Sequence, residues 1–291
     1  LDARLAAAGV TTAYAAVSFS RDAAEGQRRS FDHTSRVIQG FYDFKSTCKV
    51  DHKIHARFDI TYENAVPVLE ALLSKGLVDL VSLMDHTPGQ GQHSNIEKHI
   101  KVKATQLGVS EPEARQIVLT KIAKDSRPTE VILQNMIAVS ELCKHYSVAL
   151  ASHDDDTEDK AKLMSKIGAV ISEFPVTLQA ARAGVSKGMM VAMGAPNAMR
   201  GQSYSGNLSA RDAHAQGLLH ILAADYHPAA ILPAIRILGQ TDPDGLVGAT
   251  RLATLNPARA LGLKDRGEIA VGKRADLIAV AEGTRAVSYT H

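Results

Sequence analysis

Several short runs in this chain carry residue types that could do hydrolytic chemistry. His153-Asp154-Asp155-Asp156 follows the apolar run Ser147–Ala151, and histidine with carboxylates is the donor set of a hydrolytic metal site. The aspartates also suit the N-terminus of a helix beginning near Thr157, a use that accounts for them but not for the histidine. Asp85-His86 closes the apolar run Val78–Met84. The Pro88-Gly89 turn after it holds both side chains at the end of that run, in a site or in an ordinary polar loop. His55, Arg57 and Asp59 alternate along Lys53–Ile60, so on a strand all three share one face. Asp225 follows Leu218–Ala223, where a carboxylate either takes a proton from an attacking water or caps the next helix. Gly194-Ala195-Pro196-Asn197, Arg200-Gly201 and Ser205-Gly206-Asn207 read as one Gly/Ser/Asn loop. Its backbone N–H groups, with Arg200, suit phosphate oxygens; the same composition also suits a merely flexible loop.

The elements that must position these residues follow from the hydropathy pattern. Seven apolar runs, near Val10–Val17, Lys53–Ile60, Val78–Met84, Ser147–Ala151, Ala169–Phe174, Gly188–Met193 and Leu218–Ala223, alternate with helical segments. Near-continuous apolar strands separated by helices predict a parallel sheet covered on both faces. The helices are expected over Phe31–Ser46, Val66–Ser74, Ile117–His145, Thr157–Lys166, Leu178–Ala183 and after Pro228. Asp59, Asp85, His86, His153, Glu173, Asn197 and Asp225 all fall at or just past the C-terminal ends of strands. An open doubly wound sheet would gather its site at one switch point and carry a Gly-rich turn after its first strand, which is missing here. Spread over the strand ends, these residues predict instead a (β/α)8 barrel, with one strand fewer than eight. Residues 93–127 form a polar insertion whose Ser110-x-x-Glu113 is a capping box. Residues 1–255 read as the barrel, and 256–291 as a C-terminal portion with short strands around Gly272.

Composition narrows the function. With 33 basic against 31 acidic residues the net charge is +2, so no sequence-wide field attracts nucleic acid or an anionic membrane. Trp is absent and aromatics are 4%, which argues against a base-stacking platform. Two cysteines, Cys48 and Cys143, make neither a disulfide framework nor a cysteine metal cluster, and both read as structural thiols. No apolar run reaches membrane-spanning length and no signal peptide opens the chain, so a cytoplasmic location is the default expectation.

Asp85-His86-Thr87-Pro88-Gly89-Gln90, His153-Asp154-Asp155, the GAPNAMRGQSYSGNLSA segment and Ala224-Asp225-Tyr226 together resemble the amidohydrolases of the carbon–phosphorus lyase pathway. The tail, with Asn256-Pro257-Ala258 and the Gly267–Leu277 pattern, is similar to the end of amidohydrolases generally. The resemblance implies a distorted (β/α)8 TIM barrel of the metal-dependent hydrolase type with part of a small β-sandwich. It implies a divalent metal, zinc by preference, forming a binuclear centre in the full-length family. It also implies hydrolysis of α-D-ribose 1-methylphosphonate 5-triphosphate between its α- and β-phosphorus, which leaves the 5-phosphate and releases pyrophosphate. The roles it implies are metal ligation for Asp59, His86 and His153, and catalysis for Asp225. Arg57, Asp85, Asn197, Arg200 and Ser205 fall to substrate binding. The implied partner is a small phosphorylated sugar, with no nucleic acid or membrane, and homo-oligomerisation is left open.

The chain also departs from that family. Asp59 stands where the family has Glu, Gly91 where it has Arg, and Tyr204 where it has His. The family's first strand, with a His-x-Asp metal pair, has no counterpart before the Val10–Val17 strand. A barrel lacking that strand is expected to leave two apolar edges, to hold at most one metal and to release negligible pyrophosphate. Two other readings remain: an amidohydrolase that opens a cyclic amide or deaminates a base, and a non-catalytic barrel.

Overall fold

The computed structural model describes residues 1–19, 30–62, 65–84, 96–125, 127–203, 206–280 and 287–290. Seven strands build its main sheet: β1 (Thr12–Ser18), β2 (Asp51–Asp59), β3 (Leu80–Met84), β4 (Ala149–His153), β5 (Ile171–Glu173), β6 (Met190–Gly194) and β7 (Ile221–Ala223). Every neighbouring pair is parallel, and the spatial order is the sequence order. Parallel neighbours in sequence order are what repeated βα units produce when each crossover is right-handed. The sheet therefore curls as an α/β barrel does, with seven strands where the closed form has eight. Among the described residues β1 pairs only with β2, and β7 only with β6.

The helices between the strands are α1 (Asp2–Ala7) before β1, α2 (Phe31–Phe44) and α3 (Ala65–Ser74), with α2 followed by a short 3-10 turn at Lys45–Thr47. The insertion after β3 holds α4 (Ile96–Leu107) and α5 (Glu111–Asp125), and α6 (Thr129–His145) leads into β4. Then come α7 (Glu158–Lys166), α8 (Leu178–Ser186), α9 (Ala195–Arg200), α10 (Ala210–Ala215), α11 (Ile231–Leu238), α12 (Gly245–Arg251) and α13 (Leu255–Ala260). A two-stranded antiparallel sheet, β8 (Leu277–Val280) with β9 (Val287–Thr290), ends the chain.

Alternation along the strands decides what faces the core. On β2, Ile54, Ala56 and Phe58 turn outward into a cluster with Leu69, Leu72 and Leu73 of α3 and Met136 and Val139 of α6. His55, Arg57 and Asp59 are left to the inner face. The inner layer near the strand starts is apolar: Leu80, Ala151, Ile171, Ala192 and Ile221 meet Ala260 and Leu261, so α13 and the residue after it close this end.

Two expectations are corrected here. The single helix over Ile117–His145 is two helices, because Pro128 lacks the N–H a continuing helix needs and biases Arg127 away from helical angles. The Gly/Ser/Asn loop after β6 begins as helix α9, with Gly194 as its N-cap and Pro196 in its first turn, so Asn197 and Arg200 stand on a helix. The capping box forms as read: Glu113 accepts from Ser110 N at 2.9 Å, and its own N–H donates to Ser110 Oγ at 3.4 Å.

Candidate active site at the C-terminal ends of the strands

The inner face of β2 delivers two of its three polar residues to one cluster. Arg57 Nη2 lies 3.0 Å from His153 Nε2 at the end of β4, and Arg57 Nε points at Met84 Sδ, 3.0 Å away. A guanidinium can only donate, so His153 Nε2 accepts and the ring proton is on Nδ1. That proton goes to Glu173 Oε2 at 2.8 Å, at the end of β5. A carboxylate behind Nδ1 fixes the ring and turns the Nε2 lone pair into the mouth, an arrangement typical of metal-ligating histidines. His55 Nε2 contacts Ser82 Oγ at 2.8 Å and lies 3.9 Å from the same Glu173 oxygen.

The electrostatics follow from burial and partners. Burial works against the Glu173 carboxylate, but His55, His153 and Arg57 outweigh it and bring its pKa down to about 2. Burial lowers the pKa of His55, with Glu173 opposing the shift. Burial raises the carboxyls of Asp154 and Asp225. For Asp225 the charges of Arg57 and Arg200 pull the other way. Asp225 therefore shares one electrostatic neighbourhood with Arg57, Glu173 and Arg200, although they come from four different elements. Its carboxylate sits over Gly194, where a Cβ would come within 3.0 Å of Oδ2.

Three residues just past strand ends, Asp154 (φ 51°), Phe174 (φ 56°) and Asp225 (φ 55°), take the left-handed backbone conformation. For non-glycine residues this costs roughly 1–2 kcal/mol each and turns the chain sharply into the mouth. Phe174 sets its ring edge-on to His153, with the centroids 5.6 Å apart.

The aspartates after His153 divide their work. Asp154 Oδ2 is 3.4 Å from His153 Nε2. Asp155, fully buried, accepts from Ser172 Oγ at 2.9 Å and from Ser152 Oγ at 2.5 Å, tying β4 to β5. The cap of α7 is Thr157, whose hydroxyl accepts from Lys160 N.

The residues picked out by the sequence fare differently. Arg57, His153 and Asp225 come together. Asp59 ends β2, where its Oδ1 accepts from Thr61 N at 2.9 Å and from Thr61 Oγ1 at 2.6 Å, closing a turn. Asn197 spends its amide on the backbone, donating to Leu208 O at 3.1 Å and accepting from Ala210 N at 3.0 Å. Arg200 Nη1 donates to Tyr226 Oη at 2.6 Å, which brings it beside the Asp225 turn. Asp85, His86 and Ser205 lie outside the described residues, as do Gly91 and Tyr204. Among the described residues the mouth brings no three His, Cys, Asp or Glu ligand atoms within 4.8 Å of one another. His153 supplies one oriented nitrogen with Asp154 beside it, and Arg57 stands where a cation would.

Sequence reasoning gave no role to Glu173 or to Lys160. Lys160 Nζ donates to the carbonyls of His153 and Asp154, both at 3.1 Å, and so braces the bend after β4. The signal for Glu173 was present: it is the only charged residue in the apolar run Ala169–Phe174. Lys160 had none, because a lysine in a helix is ordinarily solvated.

A curled parallel sheet with its polar residues gathered at the strand ends defines a barrel hydrolase, and the chain belongs to the amidohydrolase family, whose model matches residues 4–289. It is 37% identical to the α-D-ribose 1-methylphosphonate 5-triphosphate diphosphatase of Escherichia coli (strain K12), over 95% of this chain and 73% of that protein. The crystal structure of a D-hydantoinase superposes with a TM-score of 0.50 at 12% identity, over 95% of this chain and 69% of that one, a likeness of fold. Among the described residues, no helix is long and apolar enough to cross a membrane.

Proposed function

We propose that this chain is a metal-dependent diphosphatase that hydrolyses α-D-ribose 1-methylphosphonate 5-triphosphate between the α- and β-phosphorus. The carrying observation is the convergence of an oriented histidine, a buried carboxylate and two arginines at the barrel mouth. The 37% identity to a diphosphatase of that specificity supports the substrate.

In this reading a cation displaces the Arg57 guanidinium from His153 Nε2 and takes that nitrogen as a ligand, while the Nδ1–H to Glu173 holds the ring for the task. His86 extends the donor set as a ligand, and Asp85 serves as a substrate contact. Ligation by Asp59 would fall to Oδ2, since Thr61 engages Oδ1. A bound divalent cation such as Zn2+ supplies Lewis acidity and lowers the pKa of coordinated water from about 16 to about 7. Asp225 takes the proton as the oxygen of water bonds to the α-phosphorus. The α–β bridging oxygen leaves on pyrophosphate. Burial raises the carboxyl of Asp225 toward the range useful to a general base. Arg57 and Arg200 offset the negative charge that moves onto the leaving group. Asn197 acts by holding α9, and with it Arg200, against the returning chain. Ser205 is assigned to substrate binding.

The test is pyrophosphate release from the 5-triphosphate in the presence of Zn2+, measured on the chain and on a version whose sheet carries an added eighth strand. Release that disappears in Asp225→Asn is the expected result. No release from the closed sheet with metal bound would overturn the proposal.

A further inference from the structure

The opposite end of the barrel holds a second group of ligand-type side chains that plays no part in the reaction. Asp2 opens α1, Cys48 follows the 3-10 turn after α2, and His52 is the second residue of β2. One ligand atom from each lies within 4.8 Å of the other two. His52 Nε2 and Asp2 Oδ1 are 3.0 Å apart, close to the spacing of two donors on one tetrahedral cation with bonds near 2 Å. Asp2 also accepts from Lys49 N at 3.1 Å and from Val50 N at 3.0 Å, and Cys48 Sγ contacts Phe44 O at 3.4 Å. A structural clip joining α1 to residues 49–52 would explain Asp2 and His52. It leaves the thiol unexplained. The His52 side chain is 2% exposed and its Nδ1 has no partner among the described residues, so its one polar contact is directed at this cluster.

From this geometry we infer that Asp2, Cys48 and His52 form a binding site for a thiophilic divalent cation of the Zn2+ class, separate from the barrel mouth. Thiolate and carboxylate bring two negative charges and imidazole brings none, which balances a dication. Sulfur and nitrogen donors select Zn2+ or Co2+ over Mg2+ and Ca2+, which take oxygen. The trio opens on a cleft of about 300 Å³ whose other walls include Val37, Phe41 and Phe44. Binding breaks the Cys48 S–H bond, the sulfur lone pair goes to the cation and the proton goes to solvent. Three protein ligands leave a fourth position for water or a small molecule.

Cobalt reports the site independently of turnover, because a Co2+–thiolate bond gives a near-ultraviolet charge-transfer absorption. Chelator-treated protein titrated with Co2+ should develop that band. Cys48→Ser should lose it, together with one equivalent of bound metal. His153→Ala should keep it. His52→Ala, checked for folding by circular dichroism, should weaken Co2+ binding by at least about tenfold, since losing even a group that merely orients a ligand costs that much. If His52→Ala does not fold, the rate at which a disulfide reagent modifies Cys48 in the wild type replaces it, and Zn2+ should slow that rate by about the same factor. A wild type without the band, a band unchanged in Cys48→Ser, or a modification rate indifferent to Zn2+ would each overturn the site.

Discussion

The mouth and the floor of this barrel are made by the same strands, two residues apart. On β4, Ala151 packs into the apolar floor and His153 enters the polar mouth; on β5, Ile171 and Glu173 do the same. One inward-facing step along a strand, about 7 Å, separates a residue that contributes packing from one that contributes charge. The floor is apolar and closed by Ala260 and Leu261, whereas the mouth holds charges in a partly buried setting and left-handed backbone at three strand ends. Stability and chemistry are thus layered along one axis. Substitutions in the two layers should fail in different ways.

The sharpest break is expected at Asp225. Asp225→Asn keeps the shape of the mouth and removes the proposed proton acceptor, so turnover should fall about 10²–10⁴-fold while bound metal and melting temperature stay near the wild type. Activity within a few-fold of the parent would take the catalytic role from Asp225.

Glu173→Gln and Ile171→Ala compare the layers directly. Removing the carboxylate leaves the buried cluster of His55, His153 and Arg57 without its counter-charge, a change that costs about 3–5 kcal/mol for buried pairs. Ile171→Ala should cost about 2–5 kcal/mol through its cavity. The denaturation losses are similar in size, but only Glu173→Gln should also weaken metal binding, because only it releases the His153 ring. Equal metal affinity in the two variants would erase the distinction between layers.

The same carboxylate predicts a pH dependence. Its pKa falls from 4.5 to about 2 on folding, so the native state binds fewer protons than the unfolded state in that interval. Its contribution is therefore complete above pH 4.5 and is lost as pH drops toward about 2. Melting temperature followed against pH should show a loss in that window, and Glu173→Gln should make it shallower. Identical profiles would remove Glu173 as the source.

How much of this was legible in the sequence depends on the kind of signal. The seven strands read clearly because parallel strands covered on both faces are apolar almost without interruption, and Val78–Met84 or Ala169–Phe174 admit little else. The face shared by His55, Arg57 and Asp59 was legible because a strand has period two. That Asp59 would close a turn with Thr61 was not, because a carboxylate at a strand end serves turns and ligands equally well. Glu173 was legible as a strand-end carboxylate, but its role was not: it holds His153, twenty residues earlier, and such a pairing exists only once β4 and β5 lie side by side. The trio of Asp2, Cys48 and His52 was not legible at all. Two cysteines far apart suggest no cluster, and Asp2 reaches His52 only through the packing of α1 under β2.

Arg200→Ala tests the outer edge of the mouth. A charge-assisted hydrogen bond is worth about 1.5–3 kcal/mol, so binding of the triphosphate should weaken by roughly 10–150-fold, with a much smaller change for a monophosphate analogue. Arg200 also holds Tyr226 beside the Asp225 turn. Equal losses for both ligands would show that it shapes the turn and does not read the polyphosphate.

The smallest effect is expected at Asp59, where the two layers of function meet in one side chain. Its Oδ1 closes a short ring onto the N–H and hydroxyl of Thr61, which fixes the exit of β2. A glutamate is one methylene longer and cannot close the same ring, so Asp59→Glu should lose about 1 kcal/mol of stability, a shift of only a few degrees in a protein of this size. The longer arm reaches further into the mouth, and if Asp59 ligates through Oδ2 the metal affinity should rise as stability falls. Calorimetric titration with Zn2+ beside a thermal melt separates the roles. Opposite movements of affinity and stability place Asp59 in both turn and ligand set. A lower melting temperature with unchanged affinity leaves it a turn residue only, and in the proposed reaction the metal would then rest on His153 and His86.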